Sequence, residues 1–399
     1  MAPPVFRGMV KAKQHSVNMS RKRHLLEGSR IIFFFGSLEL GGAERQGLLL
    51  AKYLKLTCHA DVQVLAFWKP GKAARICEEV GIHWELLPSP LPGSRLARFF
   101  RILKFMLALR GKRPDIILSY TMHPNIACGL IWQYTGAKNF IWNQRDEGIF
   151  RMSESLERRV VRHCPLFVAN SNKGKAFLVE KLKVSLKKVS VIHNGVELDP
   201  PEFSRAEWRQ KLEAGNAFLA CHVANLSETK EWKTLFKAWG RFLKEWEEKG
   251  KRAILLLAGD SFKNQLKLET LSQESGIAHA VSFLGRVDDI SGLLKAGDLA
   301  LFSSRSEGLP NGVLEPMASG LAVVATDIPG IREAVGPAGI PFLFPPGDDR
   351  AFSEIILKMA EDPKLRKRAG EANQKRVAGE FAPAKMYSKM IDLLIGKQD

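Results

Sequence analysis

Two carboxylates, Glu307 and Glu315, stand eight positions apart in the stretch Ser304–Gly320, and Gly308, Pro310, Asn311 and Gly312 turn the chain between them. Asp298–Phe302 upstream reads as a buried strand, an apolar helical run follows the turn, and Ala322–Thr326 reads as the next strand. In a parallel sheet such a loop lies at the carboxyl end of a strand, where ligands bind. The first turn of a helix presents N–H groups without intrahelical partners and the positive end of its dipole, which suits phosphate. One carboxylate in the loop and a second inside the helix can then meet hydroxyl groups of the same ligand. Phosphate plus hydroxyls points to a nucleotide-sugar. Two arbitrary surface glutamates would mean nothing; their place in this block gives them weight.

Other chemistry-bearing residues also follow strands. Ile31–Phe35 leads into Gly36–Gln46, which contains Gly41, Gly42, Ala43, Glu44 and Arg45, and a helix follows with Leu48, Leu49, Leu50, Tyr53 and Leu54 on its buried side. A strand, a glycine turn and a helix again build an anion site out of backbone, although a Gly-Gly pair alone is also an ordinary βα turn. Asp115–Tyr120 precedes His123, and Val189–Ile192 runs into the turn His193, Asn194 and Gly195; between them Phe140–Arg145 reads only as a strand with its exit loop. His123 fits either an active face or a hydrogen-bonded structural loop.

These elements need two sheets. A chain of 399 residues exceeds one ordinary core. Alternating strands and helices stop at Pro200–Pro201 and restart at Phe218, so two parallel βα domains are expected. The expected divisions are a basic, disordered tail over 1–29, an amino-terminal domain over 30–197, a linker over 198–216, a second domain over 217–380 and a terminal helix over 381–399 that can cross back to the first. A later true start, at Met9 or Met19, is also open. The five cysteines have no metal or redox spacing and read as core residues of a reducing cytosol. No apolar run reaches the roughly 18 residues of a membrane span, and Ile31–Phe35 is too short for the apolar part of a signal peptide.

The net charge of +18 is unevenly placed. Residues 1–30 hold seven Lys or Arg against Glu27, residues 95–113 hold seven with no acid, and residues 173–188 hold six Lys against one Glu. Such charge implies an anionic partner. Arg95, Arg98, Arg101 and Lys104 recur every third residue, with Leu96, Phe99, Phe100, Leu103 and Leu107 on another side, as in helices that bind membrane surfaces or in a normal surface helix packed on a sheet.

The chain resembles the retaining glycosyltransferases of family 4, enzymes of the GT-B fold. Glu307 to Glu315 with the following Met317–Asp327 resembles the E-x7-E signature, Gly41–Arg45 the amino-terminal glycine loop, and Val191–Val196 the inter-domain element that contains Asn194 and Gly195. His123 falls where the family has a histidine. The resemblance covers residues 31–395 and implies two Rossmann-like parallel-sheet domains facing a cleft. It assigns the ribose to Glu315, a place near the donor sugar to Glu307 and His123, phosphate to the backbone of Asn311, Gly312 and Val313, and a diphosphate contact to Gly42, with Gly41 beside it. Lys230 matches the lysine that cradles the diphosphate. Asn225 stands where the family has an arginine, and Arg286 is a candidate to replace that charge.

The resemblance implies transfer of a sugar from a nucleoside-diphosphate-sugar co-substrate to a lipid-linked or other saccharide acceptor. No Asp-x-Asp motif occurs, so neither metal nor cofactor is expected. The expected location is the cytoplasmic face of an inner membrane, held peripherally through the basic helix 95–104, in envelope polysaccharide or lipopolysaccharide assembly. A sugar-nucleotide epimerase shares the architecture but needs acid and base residues that the sequence does not identify. A non-catalytic sugar-nucleotide-binding protein is the second rival. A nucleic-acid binder would explain the charge without the signature, and no nucleic-acid motif is present.

Overall fold

A computed structural model describes residues 22–260 and 264–396 of the chain. They form two compact units. Unit 1 runs to Gly195 and resumes at Ala384; unit 2 is Val196–Pro383.

Unit 1 is a seven-stranded parallel sheet in the order β3-β2-β1-β4-β5-β6-β7. Its strands are β1 (Arg30–Ser37), β2 (Asp61–Trp68), β3 (His83–Leu86), β4 (Ile116–Tyr120), β5 (Asn139–Gln144), β6 (Leu166–Ala169) and β7 (Val189–Val191). Strands covered on both faces must be apolar at every position, and β1 shows it. Ile31, Phe33 and Phe35 enter one layer with helix Gly42–Cys58, while Ile32 and Phe34 enter the other with Phe105 and Ile126. The terminal helix Pro383–Leu394 belongs to the first of these layers. Met386, Met390, Ile391 and Leu394 are buried there, and Tyr387 stacks on Tyr53 at 3.9 Å.

Part of the tail expected over residues 1–29 lies outside the described residues. Its end, from Lys22, turns and packs: Leu26 is buried in the same layer and Lys22 pairs with Asp392 at 2.5 Å.

Unit 2 is a six-stranded parallel sheet in the order β10-β9-β8-β11-β12-β13. The strands are β8 (Phe218–Val223), β9 (Ala253–Ala258), β10 (Val281–Gly285), β11 (Leu299–Phe302), β12 (Val323–Thr326) and β13 (Leu343–Phe344). The 198–216 linker contains a helix, Arg205–Lys211, closed by a reciprocal Ser204–Glu207 capping box. It packs into unit 2: Trp208 Nε1 donates to Asp289 at 2.7 Å, and Arg205 donates to Asp298 at 2.6 Å.

In each sheet the strand order reverses beside the first strand, between β1 and β4 and between β8 and β11. Loops leaving two adjacent strands there part to opposite faces and open a crevice at the carboxyl ends.

Candidate functional site

The loops after β8 and β11 meet at the unit 2 reversal. They are laced by backbone: Arg305 N–H donates to Thr229 O at 3.2 Å, and Ser303 Oγ donates to Glu231 O at 3.3 Å. This places Lys230 against Glu307, 77 positions away in sequence. Both are largely buried, and Glu307 Oε1 also accepts from Ser304 Oγ at 2.8 Å. Lys230 Nζ lies 4.5 Å from the centre of the Phe302 ring, so a cation–π contact helps to hold the charge.

Helix Asn311–Ala318 starts immediately after this pair, preceded by Pro310, and no side chain caps it. Gly312 is required by space. A Cβ there would stand 2.5 Å from Val223 O and 2.6 Å from the Phe302 ring. Val313 is buried beneath it, and Glu315 is buried on the next turn. Pro316 has no N–H, so the helix cannot close its bond back to the Gly312 carbonyl.

His222, in β8, was not legible as part of this site. Its Nδ1 donates to Leu301 O at 3.0 Å and its ring stacks on Phe302. Burial, with Lys230 nearby, pushes its pKa down to about 3, so it is neutral and serves as packing beneath Lys230.

Arg286 follows β10, at the sheet edge, and is held by Asp260 at 2.6 Å. It is joined to the loop after β8 through Asp260, whose carbonyl accepts from Leu226 N–H at 2.7 Å, next to Asn225. Asn225 is exposed at the end of β8.

In unit 1 the carboxyl ends of the strands carry a second set of polar residues. His123 Nε2 is 2.8 Å from Ser89 Oγ, and the ring packs on Phe67 and Trp68. Burial lowers its pKa from 6.5, which keeps it neutral. Thr121, just before it, has φ 70°. That conformation is strained for a β-branched residue, and such strain collects at functional positions.

Gln46 locks the glycine-loop helix to the His193–Gly195 turn by two 2.9 Å bonds, Nε2 to Gly195 O and Gly195 N–H to Oε1. Asn194 Oδ1 accepts from Arg145 Nη2 at 2.6 Å. Glu44, three residues after Gly41, hydrogen-bonds the Gly41 backbone; burial raises its pKa to about 7, and Arg145 opposes the rise. Gly42 is exposed at the start of this helix. Arg145 and Glu44 were missed as site residues; the polar run Asn143–Asp146 directly after an apolar strand was the available signal.

Among the described residues no group of His, Cys, Asp or Glu has the arrangement of a metal site.

Two parallel-sheet units, each with its strand reversal at the first strand, define an α/β protein of two Rossmann-like units. Comparison with known proteins narrows this. The model of glycosyltransferase family 4 matches residues 40–200 and that of glycosyl transferases group 1 matches residues 204–376. The chain belongs to the family 4-type glycosyltransferases of the GT-B fold.

It is 24% identical over 359 residues to the uncharacterized glycosyltransferase MJ1059 of Methanocaldococcus jannaschii, covering 77% of this chain and 86% of that protein. It is 25% identical over 228 residues to the UDP-Gal:alpha-D-GlcNAc-diphosphoundecaprenol alpha-1,3-galactosyltransferase of Escherichia coli, covering 56% of this chain and 58% of that enzyme. Against several other curated relatives the chain spans about half their length. The structure of Anabaena Alr3699/HepE in complex with UDP and glucose superposes with a TM-score of 0.79 at 22% identity, covering 92% of this chain and 100% of that one.

Proposed function

We propose that the protein is a retaining, metal-independent glycosyltransferase that moves a sugar from a nucleoside-diphosphate-sugar to a lipid-linked saccharide, at the cytoplasmic face of an inner membrane, in envelope polysaccharide or lipopolysaccharide assembly. One observation carries the reading: the Lys230–Glu307–Ser304 cluster at the unit 2 strand reversal, next to an uncapped helix start with Glu315 buried one turn on.

The reaction breaks the bond from the anomeric carbon to the diphosphate and forms one to an acceptor oxygen. Negative charge grows on the departing phosphate, which also takes the acceptor's proton. A lysine and N–H groups fixed in advance stabilise that charge without rearranging during the reaction. In this reading Lys230 serves both Glu307 and the diphosphate. Asn311, Gly312 and Val313 offer backbone to phosphate, Glu315 takes the ribose hydroxyls, and Glu307 lies nearest the sugar. His123, neutral at pH 7, acts on the sugar as a hydrogen-bond partner. Gly41 and Gly42 admit the diphosphate, and Asn194 and Gly195 shape the turn that holds the glycine loop. Arg286 would have to leave Asp260 to replace the charge missing at Asn225. A uridine diphosphate sugar is the first donor to try, because UDP and UDP-glucose are named in the related HepE structures and a UDP-sugar in the related galactosyltransferase.

A panel of nucleotide-sugars tests this. Release of nucleoside diphosphate supports the transferase, a C2-epimerised donor would mean an epimerase, and binding without turnover would mean a non-catalytic partner. Glu315→Ala should weaken donor binding by roughly 10- to 100-fold, the worth of a charged hydrogen bond at about 1.5–3 kcal/mol. Unchanged donor affinity in that variant would remove Glu315 from the site. Product stereochemistry is read by the anomeric proton coupling, and the metal question by the rate in excess chelator.

A further inference from the structure

The helix Arg95–Gly111 has two apolar faces. Phe105 and Leu109 are buried against the sheet, and the Phe105 ring meets Phe34 and Phe67 at about 5.5 Å. Of the two roles open to the other apolar residues, lipid contact or packing on the sheet, the structure does not show the packing. Leu96, Phe99, Phe100, Leu103 and Leu107 are 69, 61, 58, 39 and 55% exposed. Their spacing, i, i+3, i+4, i+7 and i+11, makes one continuous stripe along the helix, opposite Phe105. A contiguous apolar stripe of this kind marks an interaction surface.

The charge around it says what the partner is. Residues 95–113 carry seven Lys or Arg and no acid. Arg98 and Arg101 are committed to the carbonyls of Gly93 and Pro92, and Lys112 to Glu85, which leaves Arg113 just past the helix and Arg95, Lys104 and Arg110 on it beside the stripe. An apolar face bordered by cations fits an anionic lipid surface, with the side chains below the headgroups and the cations among them. Seventeen residues make a rod about 25 Å long lying in the plane of the surface. The helix packs beside the turn Trp132–Tyr134, and Tyr134 is exposed there, an aromatic suited to the headgroup level. Ser89, the hydrogen-bond partner of His123, lies seven residues before Leu96 in sequence.

We propose that Leu96, Phe99, Phe100, Leu103 and Leu107 insert into an anionic phospholipid bilayer as an apolar wedge, so that burial, and not charge alone, holds unit 1 on the membrane. Its purpose rests on the lipid-linked acceptor proposed above; its physics does not. Charge-only attachment is screened by salt, whereas burial is not.

The test is flotation of the full chain with vesicles of phosphatidylcholine containing phosphatidylglycerol, at 0.1 and 0.5 M NaCl. The wild type should float at both salts, with partitioning reduced less than about threefold at the higher. The double variant Phe99→Ser/Phe100→Ser should partition at least tenfold more weakly at both. Arg95→Gln/Lys104→Gln should lose binding mainly at 0.1 M NaCl, where the charge is least screened. Donor hydrolysis in free solution should be equal in the wild type and the serine variant, which shows that the variant is folded. Wild-type flotation by the serine variant would overturn the wedge. So would a wild-type dimer in solution that the serine variant turns into a monomer, since a second copy would then cover the stripe. Failure of every donor in both proteins would overturn the transferase reading, and the flotation result would still decide this one.

Discussion

At the scale of single residues, the two signature glutamates, the glycines and His123 announce themselves because loops after apolar strands are where polar residues are conspicuous. What local pattern cannot supply is the pairing of Lys230 with Glu307 across 77 positions, since it depends on β8 lying beside β11. Nor does it give a buried neutral His222 below them. Glu44 is a third case. It reads as an acid in the first turn of a helix, favourable by the dipole rule, and burial reverses the expectation by raising its pKa from 4.5 to about 7. The sign of the effect on stability follows. Below 4.5 both folded and unfolded chains hold the proton and folding pays nothing for Glu44; between 4.5 and 7 the unfolded chain releases it while the folded chain keeps it, so stability falls as pH rises. The loss corresponds to on the order of 3 kcal/mol. Glu44→Gln keeps the neutral form at every pH. Urea unfolding at pH 5 and pH 8 should therefore show the wild type losing stability relative to the variant, and parallel profiles would show that Glu44 ionises without penalty.

At the scale of elements, most strands and helices follow from two periodicities, and β8 lies within the largely apolar run Ala217–Ala224. The misses have physical reasons. The Ser204–Glu207 capping box stood in the sequence, yet the polar stretch around it read as linker, because a short helix anchored by Trp208 and two arginines hides little apolar surface. The helix Arg95–Gly111 was legible as amphipathic, but periodicity does not say which of two apolar faces meets the sheet. Contacts between elements were the least legible. Gln46 is one: it lies four residues into the glycine-loop helix and grips Gly195 with both ends of its amide. Gln46→Ala would leave the Gly195 N–H and C=O without these partners in a buried setting, at about 1–3 kcal/mol for each group left unsatisfied. The variant should unfold at lower urea, and the His193–Gly195 turn should exchange its amide protons faster while helix Arg95–Gly111 does not. Unchanged exchange at Gly195 would mean that the turn holds its own shape.

At the scale of the whole molecule, unit 2 is one continuous segment and unit 1 is not. The chain leaves unit 1 at Gly195, builds unit 2, and returns with the helix Pro383–Leu394. That return matters energetically. Met386, Met390, Ile391, Leu393 and Leu394 are buried in the layer that also holds Phe33, Phe35 and Leu54, Tyr387 stacks on Tyr53, and Asp392 pairs with Lys22. Burial of an aliphatic or Met side chain is worth about 1.5–3 kcal/mol, so five of them approach the whole stability of an ordinary domain, about 5–15 kcal/mol. These values are upper estimates, because an unfolded chain already hides part of its apolar surface; halved, they still remove a large share. Deleting residues 384–399 should therefore melt unit 1 while unit 2, which keeps every strand and its own layers, stays folded. Thermal unfolding followed by limited proteolysis separates the two outcomes: a surviving fragment that starts near Val196 and ends near Pro383 is expected, with donor protection of that fragment retained because Lys230, Glu307 and Glu315 all lie within it. Loss of both units in one transition would show that unit 2 cannot stand without unit 1. Survival of both would show that the five apolar side chains are dispensable and that the layer closes over their absence.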